Sequence, residues 1–219
     1  MLAINNALTT AKQLILPLTN VKHTFKSQIN KLEGSEEREG KVRSMKLFSK
    51  TGCYSEVHNT LRLVLVIFNS NLVAEGNEAA LEDDPLGIWS WLRMELLKAR
   101  EKDLKVYLIM SVPPGVFESG LAIPGIHWFH QKHNRKYIVM VREFRDIIMG
   151  QFAGHHHTDT FRVFYNKNEF PVSWLLLAPS VAPNCVKTAA EICIYTNPGA
   201  RLYKYDKETL EVPANEALY

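Results

Sequence analysis

Leu61-Arg-Leu-Val-Leu-Val-Ile-Phe68 is almost unbroken in apolar, largely branched residues, with Arg62 as its one charge. A strand with one wet face alternates; this run does not, which predicts a strand covered on both faces and placed centrally in a sheet. Asp84-Pro85 then predicts a helix start, the aspartate as cap and the proline at the first helical position, with Leu86, Trp89, Leu92 and Leu96 as its apolar stripe. Trp89 is read as a core residue. A second buried strand, Lys105-Val-Tyr-Leu-Ile-Met110, follows and ends in the turn Ser111-Val-Pro-Pro-Gly115. Strand, helix, strand in this order predicts an α/β fold in which the two strands are neighbours joined by a right-handed crossover.

Residues 1 to 46 are polar and charged with weak helical periodicity, broken by Gly34-Ser-Glu-Glu-Arg-Glu-Gly40, and read as a poorly ordered or helical lead-in. Trp128 to Glu143 looks helical. Thr160 to Tyr165, Val172 to Ala178 and Ala200 to Tyr205 alternate with turns at Pro171, Pro179, Pro183 and Asn197-Pro-Gly199, the pattern of a short antiparallel β series. Among their aromatic residues, Phe161, Phe164, Tyr165 and Trp174 are read as sheet core in preference to a lipid-binding wall.

At 219 residues and 46% hydrophobic content the chain has material for one substantial core. Its net charge of +3 is dispersed, without the basic stripe that nucleic-acid binding requires, so no nucleic-acid partner is expected. No apolar run reaches the roughly 20 residues of a membrane-spanning helix. A secretory signal is not seen at the amino terminus, nor an Asn-x-Ser/Thr acceptor anywhere. Cys53, Cys185 and Cys193 lack the spacing of a structural zinc site; Cys185 and Cys193 either pair across a short loop or remain two thiols.

Chemistry concentrates at Gly154-His-His-His-Thr-Asp159, just beyond the β-permissive run ending at Phe152. On an extended loop, His155 and His157 would share a face and His156 would point away, giving a metal-binding pair, with a chance polar loop as the alternative. The end of a buried strand is where α/β proteins place their sites. His127, His130 and His133, at i, i+3 and i+6, read as a solvated or interface face of a helix in preference to a metal site. His58-Asn59 reads as loop, and Ser111 lacks the Gly-x-Ser-x-Gly context of a nucleophile elbow.

Four segments, Lys105 to Phe117, Gly150 to Arg162, Leu177 to Pro183 (Leu-Ala-Pro-Ser-Val-Ala-Pro) and Asn197 to Asp206, together resemble the acid sphingomyelinase-like phosphodiesterases of the calcineurin-like metallophosphoesterase superfamily. The likeness runs in order from about Leu47, so residues 47–219 are read as the later part of the metallophosphoesterase domain plus the sphingomyelinase-type carboxyl-terminal region. It implies a partial four-layer α/β/β/α sandwich, its second half, with a β-rich carboxyl-terminal segment. It also implies a two-zinc centre that hydrolyses a phosphoric diester, either a lipid head group or a nucleotide-type small molecule. His155 and His157 match two metal ligands, one to each ion, while His156 is not a ligand and Asp159 is supporting. The family is extracellular or lysosomal.

Ser111 occupies the position of a family histidine ligand, because Met110-Ser111 stands where the family has Gly-His; a serine hydroxyl is a poor zinc donor. The family's earlier ligands, in Asp-x-His, Gly-Asp and Gly-Asn-His, have no counterpart before Leu47. The expectation is therefore a truncated, catalytically impaired phosphodiesterase, or alternatively a non-catalytic remnant that binds a partner or a lipid surface. Half a two-sheet sandwich would leave an edge and an apolar face exposed, which predicts self-association.

Overall fold

The structure is a computed structural model that describes residues 35–116, 127–187, 193–212 and 216–218. The chain runs α1 (Ser35–Thr51), β1 (Tyr54–His58), β2 (Leu63–Phe68), α2 (Ile88–Glu101), β3 (Lys105–Met110), α3 (Gln131–Glu143), β4 (Ile148–Ala153), β5 (Thr160–Tyr165), β6 (Pro171–Leu177), β7 (Asn184–Lys187), β8 (Cys193–Thr196), β9 (Ala200–Leu202) and β10 (Glu216–Leu218). Of the polar lead-in, residues 1–34 lie outside the described residues, and the remainder forms the first part of α1, which continues to Thr51.

A mixed six-stranded sheet in the order β1-β2-β3-β4-β6-β5 carries the molecule. β2, β3, β4 and β6 run parallel, and β1 and β5 close the two edges antiparallel. The two apolar runs pair as their composition predicts, from Leu63↔Lys105 to Phe68↔Met110. Alternate residues of each strand feed different cores. Val64, Val66, Phe68, Val106, Leu108 and Met110 meet Ile88, Trp89, Leu92 and Leu96 of α2 and Tyr137 and Val141 of α3. Two successive right-handed crossovers advancing the same way across a sheet put both helices on one face. On the other face, Leu63, Tyr107, Ile109, Phe152 and Leu176 meet Tyr203, Leu210 and Val212 from the carboxyl-terminal segment. The expected partial metallophosphoesterase sandwich is thus a sheet with helices on one side, its opposite face met by residues 203–212.

The helix stripe starts later than the sequence suggests. Asp84 does cap, its carboxylate accepting from Trp89 N at 2.7 Å and Ser90 N at 3.1 Å. Pro85–Gly87, however, is a 3-10 turn with Leu86 in the left-handed region (φ 53) and 41% exposed, so the stripe begins at Ile88. Similarly, α3 opens at Gln131, because Trp128 and Phe129 belong to an extended segment: His127 bridges Val116 and Phe129 bridges Ala74. β6 is antiparallel to β5 as expected, but its other edge joins β4 and inserts it in the main sheet.

The aromatic expectation fails for three of its four residues. Phe164 is buried in the helix-side core, while Phe161 is 63%, Tyr165 48% and Trp174 40% exposed. Phe161 and Trp174 sit on the opposite face, where Phe161 pairs with Leu176 and Val163 with Trp174, and the cover provided by Tyr203, Leu210 and Val212 does not extend over them; Tyr165 lies past a register shift at the end of β5.

Polar atoms buried beneath α3 are satisfied. Gln151 is fully buried; it accepts from the Tyr137 hydroxyl at 2.6 Å and donates to Ser173 Oγ at 2.7 Å and Trp174 O at 3.0 Å, tying α3, β4 and β6 together. Cys185 and Cys193 are disulfide-bonded and join β7 to β8, whereas Cys53 is a buried free thiol.

Candidate functional site

Parallel strands end together, so the loops after β3, β4 and β6 converge. Ser111, Gly154 and Ala178 follow these three ends. Gly154 N donates to Ser111 O at 3.1 Å, Ala178 N to Ala153 O at 2.9 Å, and Ser180 N to His157 O at 3.3 Å. The histidine segment is therefore stitched to both neighbouring loops.

Its backbone is not extended. His156 N donates to Gly154 O at 2.7 Å around a His155 at φ 67, the hydrogen-bond pattern of a γ-turn, and His157 is again left-handed at φ 63. Strand alternation therefore does not set the directions of these imidazoles, and this corrects the extended-loop expectation. His156 is buried, with Trp128 edge-on to it at 5.6 Å; His157 is half-buried; His155 is exposed, its ring 4.8 Å from Trp128 and edge-on. Histidine tolerates the left-handed region better than most residues, but each instance costs about 1–2 kcal/mol. Two within three residues persist because the surrounding contacts dictate them, a condition associated with binding and catalytic loops.

The Asp159 side chain is only 8% exposed and is ion-paired with Arg201. In front of the loop lies an open cleft of about 760 Å³, bordered by Asn71, Glu75, Asn77, His127, Trp128 and His155. Its far wall is fixed to Trp128 by Glu75 N donating to Trp128 O at 2.8 Å. Trp128, Glu75 and Arg201 carry no local sequence signal that marks them; their parts in this region follow from where the strands end.

The other histidines separate. His133 is fully buried in α3; its Nδ1 accepts from Trp89 Nε1 at 2.9 Å, leaving Nε2 as the donor toward Ala80 O at 3.0 Å. Burial lowers its pKa, with Lys132, Lys136 and His130 adding to the effect and the Ala80 carbonyl opposing it. The expected solvated or interface face is overturned here: His133 is a structural core residue, His130 precedes the helix, and His127 borders the same cleft as His155. His58 ends β1, and Asn59 begins a 3-10 turn.

A two-metal centre can be tested against these donors. Among the described residues no group of three or more histidine, cysteine or carboxylate side chains stands ready for a metal ion. His155 and His157, one to each ion, leave each ion short of the three protein ligands on which a catalytic zinc ordinarily rests. The described residues do not build a complete centre.

No family model matches the chain. Against individual proteins it is 36% identical over 149 residues to the acid sphingomyelinase-like phosphodiesterase 3b of Mus musculus, which covers 68% of this chain and 32% of that protein. It is 36% identical over 159 residues to a cyclic GMP-AMP phosphodiesterase of Bos taurus, 72% of this chain and 34% of the relative. Against the sphingomyelin phosphodiesterase of Bos taurus the identity is 32% over 148 residues, 66% of this chain and 20% of the relative. The chain belongs to the acid sphingomyelinase-like phosphodiesterases. As a member of this family it spans about a third of the length of the first two relatives.

Proposed function

We propose that the polypeptide belongs to a metal-dependent phosphodiesterase to which it contributes His155 and His157 as metal ligands, Ser111 standing where a further histidine donor is lost. The observation that carries this is the conformation of the histidine loop: two left-handed residues at the ends of parallel strands, anchored to the loops on either side. The substrate class is a phosphoric diester, either a sphingomyelin-type head group or a nucleotide-type small molecule, in keeping with relatives named for sphingomyelin and for cyclic GMP-AMP. With two imidazoles and no third donor among the described residues, these residues by themselves turn over diesters poorly, and no hydrolytic step is assigned to them alone. The metallophosphoesterase unit is taken to begin near Leu47, which packs from α1 on the helix-side core. An extracellular or lysosomal setting is supported by the Cys185–Cys193 disulfide, a bond rare in reducing compartments.

The test is zinc-linked stabilisation together with turnover. Zinc is expected to raise the thermal midpoint, an effect lost in His155→Ala and in His157→Ala, while bis-p-nitrophenyl phosphate is hydrolysed at close to the background rate. A midpoint indifferent to zinc, or a shift that survives both substitutions, overturns the ligand assignment. Two zinc ions per chain with rapid turnover overturns the impairment.

A second reading, a non-catalytic module for a partner or a lipid surface, is favoured by one observation: Phe161, Tyr165, Phe170 and Trp174 all lie exposed on or beside the β5–β6 hairpin. It predicts that the chain pellets with sphingomyelin-containing vesicles, and that exchanging these aromatics for serine abolishes the effect without altering zinc linkage.

A further inference from the structure

Among the described residues, an ion pair largely removed from water links the histidine loop to the carboxyl-terminal segment. The side chains of Arg201 and Asp159 are only 13% and 8% exposed. Removing two charges from water is costly unless they meet, so a buried pair of this kind constrains geometry wherever it forms. Here it joins β9 to the residue two places after His157. The same stretch makes one more attachment, through the loop after β6: Gly199 N donates to Ser180 O at 2.8 Å, and Ser180 N in turn donates to His157 O. Tyr203, two residues beyond Arg201, sets its ring 5.0 Å from that of Phe152, in the strand that delivers the loop. Its hydroxyl pKa is pushed up to about 12, by burial first and by the Asp159 carboxylate second, against the opposing Arg201 charge.

We propose that Arg201 is the positioning residue of the histidine loop: through Asp159 it holds the backbone from Gly154 to Thr158 in its left-handed turns, so that β9 controls where His155 and His157 are presented. This rests on the reading of those histidines as ligands, but concerns a different residue, one that touches neither metal nor substrate. The reasoning is local. Left-handed residues revert to ordinary backbone unless several contacts forbid it. The attachments to Ser111 and Ser180 are neutral hydrogen bonds, whereas Arg201 meets Asp159 as an ion pair whose side chains are largely removed from water.

The experiment compares hydrogen exchange in wild type, Arg201→Met and Arg201→Lys, following a peptide across residues 154–159 and one across β3. Opening of the loop in Arg201→Met is expected to speed exchange at 154–159 by about tenfold or more while β3 stays as protected as before, with Arg201→Lys intermediate because it keeps the charge. Exchange at 154–159 that does not change, or that rises equally in β3, overturns the proposal, the latter making the pair a general stabiliser. If Arg201→Met does not fold, Arg201→Lys decides by the same comparison of the two peptides. Zinc affinity read from the thermal shift is expected to weaken about 10- to 100-fold in Arg201→Met, the range for partners that orient a ligand. A wild type without any zinc linkage would sink the proposed function and leave the exchange comparison to judge the clamp alone.

Discussion

The indole N–H of Trp89 points at Nδ1 of His133 across 2.9 Å, and the two rings lie nearly parallel with centroids 5.7 Å apart. This contact connects α2 to α3 and settles the protonation state of a buried histidine. With Nδ1 accepting, His133 is neutral and carries its proton on Nε2, facing Ala80 O. Its folded pKa is lowered, by burial first. The unfolded chain, with an ordinary histidine pKa near 6.5, therefore binds a proton that the folded chain refuses. Above about pH 6.5 the group does not affect stability; as pH falls from there toward the lower folded value, stability is lost. Urea midpoints measured from pH 8 to pH 5 should decline over that window. His133→Gln, which retains one acceptor and one donor, should flatten the decline.

Tyr137→Phe should cost about 1–3 kcal/mol, read from urea denaturation, although it removes a single oxygen. The hydroxyl donates at 2.6 Å to Gln151, which is buried completely, so the substitution strands the Gln151 carbonyl with no water to replace the donor. A cost near zero would show that Gln151 finds another donor.

Gly115 and Gly76 both have positive φ, 97 and 82, yet alanine should be tolerated very differently at the two. At Gly76 a Cβ meets nothing within 4 Å, so Gly76→Ala pays only the left-handed penalty of about 1–2 kcal/mol. At Gly115 the Cβ would come within 2.5 Å of Arg162 Nη1, displacing a side chain that donates from Nη2 to Val116 O at 2.9 Å. Thermal melts should place Gly115→Ala below Gly76→Ala by a further margin of about 1 kcal/mol or more. Equal losses would mean that Arg162 moves aside freely.

Phe161 and Trp174 leave apolar surface on the uncovered sheet face, and patches of this kind drive association. Light scattering should show wild type as dimer or larger at micromolar concentration, and Phe161→Asp with Trp174→Glu should shift it toward monomer with little change in melting temperature. A monodisperse wild-type monomer would contradict the expected self-association.

Where local pattern carries the information, the sequence is a good guide. β3 occupies the same residues as the apolar run Lys105 to Met110, β5 the same as Thr160 to Tyr165, and Asp84 caps the helix that follows it. Strand runs and caps depend on residues within a few positions of one another. Leu86 falls out of its stripe because the backbone turns left-handed beside Gly87, a choice that periodicity does not record. Phe161 and Trp174 read as core because alternation names two faces of a strand without saying which one is covered.

The family, the fold class and the positions of the two histidines at a strand end were determined by sequence alone, since they rest on ordered motifs and on apolar runs. Tertiary structure decided the rest of the site. It bent the histidine loop into two left-handed turns, buried His156 against Trp128, and brought Arg201 onto Asp159, 42 positions earlier in the chain. Contacts between residues so far apart depend on where strands end in space, and no local pattern along the chain encodes that meeting.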